Sequence, residues 1–522
     1  MGVASKLERV GPDAETYRQL RHRLEPVYRW VRSRFEVDTR ALAAVRISFG
    51  LILLVDLFIR WGNIERFYTN DGAYPIEAYE ATYSQFTGLS IHALSGELWF
   101  QQLLFVIAGL FAMAFALGYR TRLVGFVSLA LLLSLQARNP ALLNGGDKLL
   151  RVLLFLALLT PLGERWSIDA LRRGSARARE SVVSFATAAL LIQPLMVFSQ
   201  NAVLKHQGDT WYEGEALQIA LSNDVMTIFL GNHLASYPAL LEVLNWAWVG
   251  LLAGSVLFLL VTDGRLRAAF ALVYMGAFAG MFLTMSVGLF PFVLTTALLP
   301  FLTPPFWSAL RRLVPTSLTD RLPSASRLRS FIGQPVERRV FDALERRGYE
   351  SKTSFVRAYC SSLLTVISVL ALLSILVYGT AYVTDYDLPD ELETPVDQQS
   401  WGLYAPNPTE GYSWYAVEAQ LESGDEIDAF GDGNVTADRP PDASKEYDTF
   451  RDRKFMETVW ASGNGDTNGV IAVDYAEWAC ERATETHGDS VESITVHRFY
   501  QPSPVDGEYE ETGRFTVIEQ TC

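Results

Sequence analysis

Long apolar runs dominate the first 380 residues of the chain. Nine of them approach the roughly 17–25 residues that a helix needs to cross about 30 Å of hydrocarbon. They lie at about 41–60, 97–118, 122–139, 147–163, 181–204, 239–262, 267–288, 291–305 and 354–380. The eighth run is short and interrupted by prolines, so it is the weakest candidate. The pattern predicts an all-α polytopic membrane bundle of about nine transmembrane helices.

The residues after the last apolar run follow a different pattern. The stretch "GYSWYAVEAQLESGDEIDAF" alternates apolar and polar residues around Ser423-Gly424, which is typical of a β-hairpin. The stretch "VIAVDYAEWACERATETHG" has helical spacing and ends in Gly488, whereas "SITVHRFYQ" and "GRFTVIEQT" alternate like strands. These patterns predict a small α+β domain at the C-terminus.

Charge is segregated between the two parts of the chain. Residues 379–522 hold 31 acidic and 8 basic residues, a net charge of −23, whereas the whole chain carries −14. The preceding part is therefore basic, by +9. So acidic a domain argues against a nucleic-acid partner. It is typical of the solvated surface of a halophilic protein, with an acidic binding face as the alternative.

The distribution of Lys and Arg in the loops predicts the orientation in the cell membrane. Residues 1–40 contain nine basic residues and residues 306–352 contain ten, whereas the loops 61–96 and 205–238 contain one each. Because cytoplasmic loops carry the excess of basic residues, the N-terminus is expected to be cytoplasmic and the acidic domain extracytoplasmic.

These observations divide the chain into five expected segments. They are a cytoplasmic amphipathic segment (1–40), a transmembrane domain (41–310), a cytoplasmic basic amphipathic segment (311–352), a last transmembrane helix (353–380) and the acidic extracytoplasmic domain (381–522). The stretch "YDLPDELETPVDQQSWGLYAPNP" at the start of the acidic domain is either a linker or a segment that reaches back over the membrane domain.

Two of the three cysteines, Cys480 and Cys522, fall in the acidic domain. Outside the cell such a pair can stay oxidised, and closing the loop between them would stabilise the fold by roughly 4 kcal/mol. The alternative is two unpaired thiols. No Cys/His spacing resembles a zinc site, so no metal is predicted.

Charged residues within or at the ends of the apolar runs mark the candidate site. Asp147 and Arg151 lie four apart on one helix face, and the predicted topology brings Asp56 and Lys205 to the same end of the bundle. A purely structural role is the alternative. Lys205 would then extend to the lipid head groups, Trp211 would belong to an interfacial aromatic belt, and Asp147 and Arg151 would neutralise each other.

The functional interpretation treats Lys205 as a partly desolvated amine. A lysine acts as a base near neutral pH only if its surroundings disfavour the charged form by about 4 kcal/mol. Burial favours this and a nearby Asp147 opposes it. The aromatic loop 61–96 could roof a pocket for a flat lipophilic ligand. The residues expected to line such a pocket are Asn144, Trp211, Tyr68 and Gln193.

Five stretches in this order resemble a known family. They are "RISFGLILLVDL", "FYTNDGAYP", "LGYRTRLV", "NGGDKLLRVLLFLALLTPLGERWSID" and "VLKHQGDTWYEGEAL". Together they resemble the HTTM (horizontally transferred transmembrane) domain, which is related to the vitamin K-dependent gamma-carboxylases. The resemblance covers about residues 41–310. The tail stretches "WGLYAPNP" and "YAEWACER" are similar to the C-terminal modules of prokaryotic members, so the chain is expected to be a prokaryotic, haloarchaeal-like member.

The resemblance implies a chemistry. In the carboxylases a reduced naphthoquinone reacts with oxygen to give a strong base, which removes a γ-proton from a peptide glutamate so that carbon dioxide can add. A lysine starts the reaction by deprotonating the hydroquinone, and the matching segment here begins at Lys205. The implied cofactor is reduced vitamin K or menaquinone, and the implied substrate is a secreted peptide.

Two departures from the carboxylase pattern keep other functions open. The animal enzymes have two adjacent lysines, where this chain has Lys205 followed by His206, and Gly146 stands where they have a histidine. His206 is therefore a second candidate base. The alternatives to a carboxylase are a non-carboxylating member that assists maturation or export of a secreted peptide, and a membrane scaffold. The oligomeric state is left open.

Overall fold

The protein is described from a computed structural model. The described residues are 25–84, 88–173, 178–313, 350–384, 386, 401–431, 433–440, 445, 447–465, 469–488, 491–502 and 510–522. The predicted basic amphipathic segment 311–352 lies almost wholly outside them, as does most of the predicted amphipathic segment 1–40.

The described helices, in chain order, are α1 (Thr39–Trp61), α2 (Ile64–Tyr68), α3 (Ile76–Thr82), α4 (Leu98–Leu117), α5 (Thr121–Arg138), α6 (Gly145–Leu158), α7 (Ile168–Arg173), α8 (Phe185–His206), α9 (Thr210–Glu213), α10 (Ala216–Ser222), α11 (Leu230–Leu234), α12 (Pro238–Ala253), α13 (Gly264–Thr284), α14 (Phe290–Leu298), α15 (Pro304–Leu313), α16 (Glu350–Thr384), α17 (Phe450–Gly463) and α18 (Val470–His487). The strands are β1 (Val37–Asp38), β2 (Ser181–Val182), β3 (Gly411–Leu421), β4 (Glu426–Asp428), β5 (Val491–Pro502) and β6 (Gly513–Thr521).

Six of the described helices are long and apolar enough to cross a membrane: α1, α4, α5, α8, α13 and α16. The other predicted spans differ. Helix α6 has 14 residues and α12 has 16, whereas 290–301 and α15 are bent by 107° and give a seventh span only if they are taken together. Prolines at 300, 304 and 305 explain the bend, since proline lacks the donor that continues a helix. The count of nine spans stays a prediction.

Helix α6 lies at the centre of the bundle. Leu149 and Leu153 of this helix are fully buried and pack in one core with residues of α1, α8 and α14. Helices α4, α13 and α16 lie at the periphery and expose long apolar faces, with only 6% of the apolar stretch of α16 buried. Lipid contact requires such apolar faces, because the hydrocarbon core contains no water to hydrate polar groups.

The C-terminal part, here called the tail domain (residues 401–522), is a four-stranded antiparallel sheet with α17 and α18 packed against it. The strand order is β4-β3-β5-β6. The predicted hairpin is formed by β3 and β4, which turn at Gly424 with φ of +85°. The structure also contains the predicted helix and both later strands, as α18, β5 and β6. Helix α17 was not predicted.

The two cysteines of the tail domain form a disulfide, with 5.5 Å between the Cα atoms of Cys480 and Cys522. This bond ties α18 to the last residue of the chain, directly after the edge strand β6. The third cysteine, Cys360, is exposed on α16.

The tail domain shares a hydrophobic core with one end of the bundle. Aromatic residues of the loop after α1, including Phe67 and Tyr74, are fully buried against Phe455 of α17. These aromatic side chains therefore pack in the interface between the bundle and the tail domain and do not cover an open pocket. Polar contacts add to this interface: Arg439 pairs with Asp224 at 2.6 Å, and Arg66 with Asp452 at 3.3 Å.

Candidate functional site

The start of α6 positions the first functional carboxylate. Asn144 caps the helix: its Oδ1 accepts from the backbone N–H groups of Gly146 and Asp147 at 2.8 and 3.2 Å. In return Asp147 Oδ2 accepts from the backbone N–H of Asn144 at 3.0 Å. This reciprocal capping box holds the Asp147 carboxylate at the end of the bundle that faces the tail domain. Asn144 thus orients Asp147 in this structure.

Four charged residues meet there in a buried cluster, here called the charge cluster: Asp56, Arg60, Asp147 and Arg451. Arg60 donates to Asp56 at 2.8 Å and to Asp147 at 3.0 Å. Arg451 of α17 donates to Asp147 at 2.9 and 3.2 Å and also to Asp56. At most 4% of each side chain is exposed. With two carboxylates and two guanidinium groups, the cluster is electrically neutral.

Neutrality explains how four charges can be buried together. Desolvation of ions costs several kcal/mol each, and only close opposite charges with full hydrogen bonding offset it. Burial and Arg60 disfavour the charged form of Arg451, but Asp147 and Asp56 outweigh them and hold the pKa of Arg451 above its ordinary value. The tail domain therefore supplies a cation that the bundle requires.

The sequence predicted a cluster of Asp147, Arg151 and Asp56, and the structure changes its membership. Arg151 does not neutralise Asp147. It donates to Gln136 at 3.2 Å, while the carboxylate of Asp147 bonds Arg60 and Arg451. Tyr68, which was expected to line a pocket, is fully buried beside the cluster, and its hydroxyl accepts from Arg60 at 2.6 Å.

A small cavity lies next to the charge cluster. It has a volume of about 20 Å³ and is lined by Asp56, by Ser128 and otherwise by apolar residues of α1, α4 and α5. That is the space of about one water molecule.

Lys205 lies in the last turn of α8, and only 3% of it is exposed. Its Nζ donates to the backbone carbonyls of Leu403 and Tyr404 at 2.6 and 3.0 Å, and it lies 3.7 Å from the ring centroid of Trp211. No carboxylate among the described residues is close enough to interact with the ammonium. Within the described part of the chain, Lys205 is thus a buried amine without a counter-ion, and it does not extend to the head groups.

Residues 401–407 of the tail domain cover this amine, and we call them the cap segment. Asn201 of α8 donates to the carbonyl of Trp401. Trp211 donates through Nε1 to the carbonyl of Tyr404 at 2.8 Å, and Thr210 donates to Asn407 at 2.9 Å. The stretch "WGLYAPNP" therefore reaches back over the membrane domain, which decides between the two alternatives for this part of the tail.

The cap segment also connects Lys205 with the start of α6. A methyl group added at Gly145 would contact the side chain of Leu403 at 3.6 Å, and the carbonyl of this same Leu403 accepts from Lys205. Lys205 and Gly145, the first residue of α6, thus both lie close to Leu403.

Comparison with known protein families gives one match over this region. The HTTM domain matches residues 35–307, just over half of the chain. The chain belongs to the HTTM family. Its apolar helices make this HTTM protein a multi-pass membrane protein. Curated proteins and solved structures give no match.

Two of the predicted site residues lie elsewhere in this HTTM protein. His206 is exposed and packs against the exposed Tyr212, with 5.0 Å between their ring centroids. Gln193 is buried on α8 but lies twelve residues before Lys205, a rise of about 18 Å along the helix. Trp211 is 2% exposed, so it forms part of the site and not of an aromatic belt.

Neither Arg60 nor Arg451 was predicted from the sequence. Arg60 follows Asp56 by four residues, the same spacing that marked Asp147 and Arg151, so a signal was present. Arg451 carried a weaker signal: Thr449 and Asp452 form a capping box that begins α17. Among the described residues no group of His, Cys, Asp and Glu side chains could hold a metal ion.

Proposed function

We propose that this HTTM protein is a membrane enzyme of the carboxylase-like type. Lys205 would serve as the proton acceptor, and a glutamate of a secreted peptide would be the residue that is carboxylated. The proposal follows from the resemblance to the gamma-carboxylases together with one observation, the burial of Lys205 without a carboxylate partner.

The burial of Lys205 supports this role because a lysine needs a water-poor environment to act as a base near neutral pH. Asp147 would oppose the role if it paired with Lys205, but its carboxylate is engaged by two arginines. The charge cluster thus leaves the amine free of a neutralising carboxylate. Trp211 adds a flat aromatic face beside the amine.

The arrangement around Lys205 does not fit a reduced naphthoquinone as long as the cap segment is in place. The carbonyls of Leu403 and Tyr404 occupy the hydrogen-bonding positions of the amine. The cavity beside Asp56 is about 20 Å³, whereas pockets for ligands of this size begin at about 300 Å³. We therefore propose that such a cofactor reaches Lys205 only after residues 401–407 move away.

The orientation proposed from the sequence puts the tail domain outside the cell. The disulfide between Cys480 and Cys522 supports it, because such bonds persist in oxidising compartments. A secreted peptide would then approach the end of the bundle that holds Lys205 on the side where it is exported.

Mass spectrometry of secreted peptides tests the proposal. Cells with the intact chain are expected to release peptides in which a glutamate has gained one carbon dioxide, and cells without it are not. Lys205→Met should abolish the gain, whereas Lys454→Met, which changes an exposed lysine of α17, should leave it intact. Carboxylated peptides from the Lys205→Met cells would rule out Lys205 as the base. If no cells release carboxylated peptides, the carboxylase-like activity is ruled out.

A second candidate function is assistance in the maturation or export of a secreted peptide without carboxylation. The observation that favours it is the tight joining of the tail domain to the bundle through Arg451 and the shared core. In that case the tail domain would act as a docking module, and Lys205→Met would leave the amount of exported peptide unchanged.

A further inference from the structure

Arg138 is a buried cation that pairs with no carboxylate among the described residues. It ends α5 and is fully buried, and its Nη2 donates to the carbonyl of Tyr74 at 2.9 Å. Its Nε and Nη1 have no hydrogen-bond partner among the described residues. The rings of Tyr74 and Tyr79 lie 5.5 and 5.8 Å from its guanidinium carbon, but they supply no full negative charge. An isolated buried charge is costly, so an anion bound beside Arg138 would stabilise the folded protein.

Arg46, on α1, shows how this protein satisfies a buried guanidinium with hydrogen bonds to backbone carbonyls. It too is fully buried, and it donates to the backbone carbonyls of Ala116, Leu162, Arg165 and Trp166. Arg138 has one such carbonyl. The difference leaves three of its five N–H bonds without an acceptor, because Nε carries one and Nη1 carries two.

His92 and Asn139 each have a buried acceptor without a partner among the described residues, and the charge of Arg138 acts on His92. The backbone N–H of His92 bonds to Ser134, one helical turn before Arg138 on the same face of α5. Asn139 follows Arg138 directly, and its Nδ2 donates to the carbonyl of Phe67 at 3.0 Å while its Oδ1 has no partner. Both His92 and Asn139 are at most 1% exposed.

The hydrogen bonds of Gln101 fix the protonation of His92. Gln101 uses its Nε2 to donate to the carbonyls of His92 and Ser95, so its Oε1 must accept from Nδ1 of His92, at 2.8 Å. Burial lowers the pKa of His92 to about 4, so the ring is neutral. Its Nε2 therefore carries a lone pair, and this atom has no partner.

We propose that Arg138, His92 and Asn139 bind a small oxyanion that carries its own hydroxyl group, of which hydrogencarbonate is the smallest common example. The negative oxygens accept from Arg138 and neutralise it. The hydroxyl group donates to Nε2 of His92 or to Oδ1 of Asn139. Water alone would satisfy the hydrogen bonds but would not neutralise the charge. This site does not depend on the proposed carboxylase-like function.

Thermal unfolding of the full chain in detergent tests the site, with hydrogencarbonate or formate replacing chloride at constant pH and ionic strength. Formate is an oxyanion of similar size without a hydroxyl donor. We expect a saturable rise in Tm with hydrogencarbonate and a smaller one with formate, since a ligand that binds the folded state stabilises it. Equal shifts with the two anions, or no shift, would overturn the proposal.

Two variants and one control variant locate the effect. Arg138→Met should abolish the response and raise the anion-free Tm, because it removes an uncompensated buried charge. Arg265→Met makes the same change of charge at an exposed position and should keep the response. His92→Phe retains the guanidinium but loses the acceptor, so its response to hydrogencarbonate should fall to that of formate. An unchanged response in Arg138→Met, or in His92→Phe if Arg138→Met does not fold, would contradict the site.

Discussion

At the scale of single residues, the charge cluster joins parts of the chain that lie far apart in sequence. Arg451 bonds Asp56 across 395 positions and Asp147 across 304. Both carboxylates also accept hydrogen bonds from Arg60, so each of the two guanidinium groups contacts both carboxylates. Removing one arginine leaves two buried carboxylates with one cation, a change that costs more than the loss of a single hydrogen bond.

Arg451→Met is therefore expected to lower the free energy of unfolding by about 3–5 kcal/mol, the range for breaking a buried ion pair. Arg482→Met is the matched control, because Arg482 forms an exposed pair with Glu485 on α18 and should cost less than about 1 kcal/mol. Thermal and denaturant unfolding in detergent measure both. A loss for Arg451→Met no larger than for Arg482→Met would show that the cluster adds nothing to stability.

The sequence predicted the carboxylates of the charge cluster better than its cations. Asp56 and Asp147 stood out because charges in apolar runs are rare. The partner of Asp147 was wrongly sought four residues away, at Arg151, whereas the structure supplies it from the tail domain. Local spacing cannot reveal a pairing across 304 residues, because it carries no information about how two domains pack.

At the scale of elements, α18 and α3 bring acidic residues together at the edge of the tail domain. Asp474 on α18 lies near Glu477 on the same helix and near Glu77 on α3. Partial burial, Glu477 and Glu77 raise the pKa of Asp474 to about 6. Since an aspartate in an unfolded chain titrates near 3.9, the folded protein binds more protons between about pH 4 and 6.

Stability is accordingly expected to fall as the pH rises through this window, and the destabilisation persists above it. The shift corresponds to roughly 3 kcal/mol, but Asp474 is only partly buried, so solvent screening reduces the expected effect to about 1 kcal/mol. Asp474→Asn should remove this part of the pH dependence and stabilise the protein at pH 7. Denaturant unfolding of the unaltered protein and of Asp474→Asn at pH 4, 5, 6 and 7 measures this pH dependence. Identical profiles for the two proteins would contradict the account.

Element prediction worked where the pattern was local. The strands β5 and β6 and the helix α18 alternate or repeat over their whole length, and the structure contains them. The ends of the membrane spans were harder to predict. The apolar run predicted for α6 extends to residue 163, whereas the helix ends at Leu158. A run of apolar residues measures hydrophobicity but not where the backbone stops being helical.

At the scale of the whole molecule, the tail domain acts as part of the membrane domain's site. It supplies Arg451 to the charge cluster and the cap segment to Lys205. Access to the amine is therefore governed by residues about 200 positions away in sequence. A substitution that displaces the cap segment should expose Lys205 without changing it.

Gly208 offers such a substitution. A methyl group added there would lie 2.3 Å from Asn407 Oδ1 and 2.5 Å from the carbonyl oxygen of Pro406, so the cap segment must shift. Gly208→Ala is thus expected to loosen the cap segment, and Gly109→Ala, which meets open space on α4, is the control. Limited proteolysis within residues 401–407 should become faster in Gly208→Ala alone. Equal rates in the two variants would show that the cap does not depend on this contact.

The most direct test of the account is the reactivity of Lys205 toward an amine-acylating reagent, measured by peptide mass spectrometry on the full chain in detergent. We predict that Lys205 stays unmodified under conditions that acylate the exposed Lys454, and that Gly208→Ala makes it reactive while Gly109→Ala does not. Acylation of Lys205 in the unaltered protein as fast as that of Lys454 would contradict the claim that the tail domain covers a buried amine.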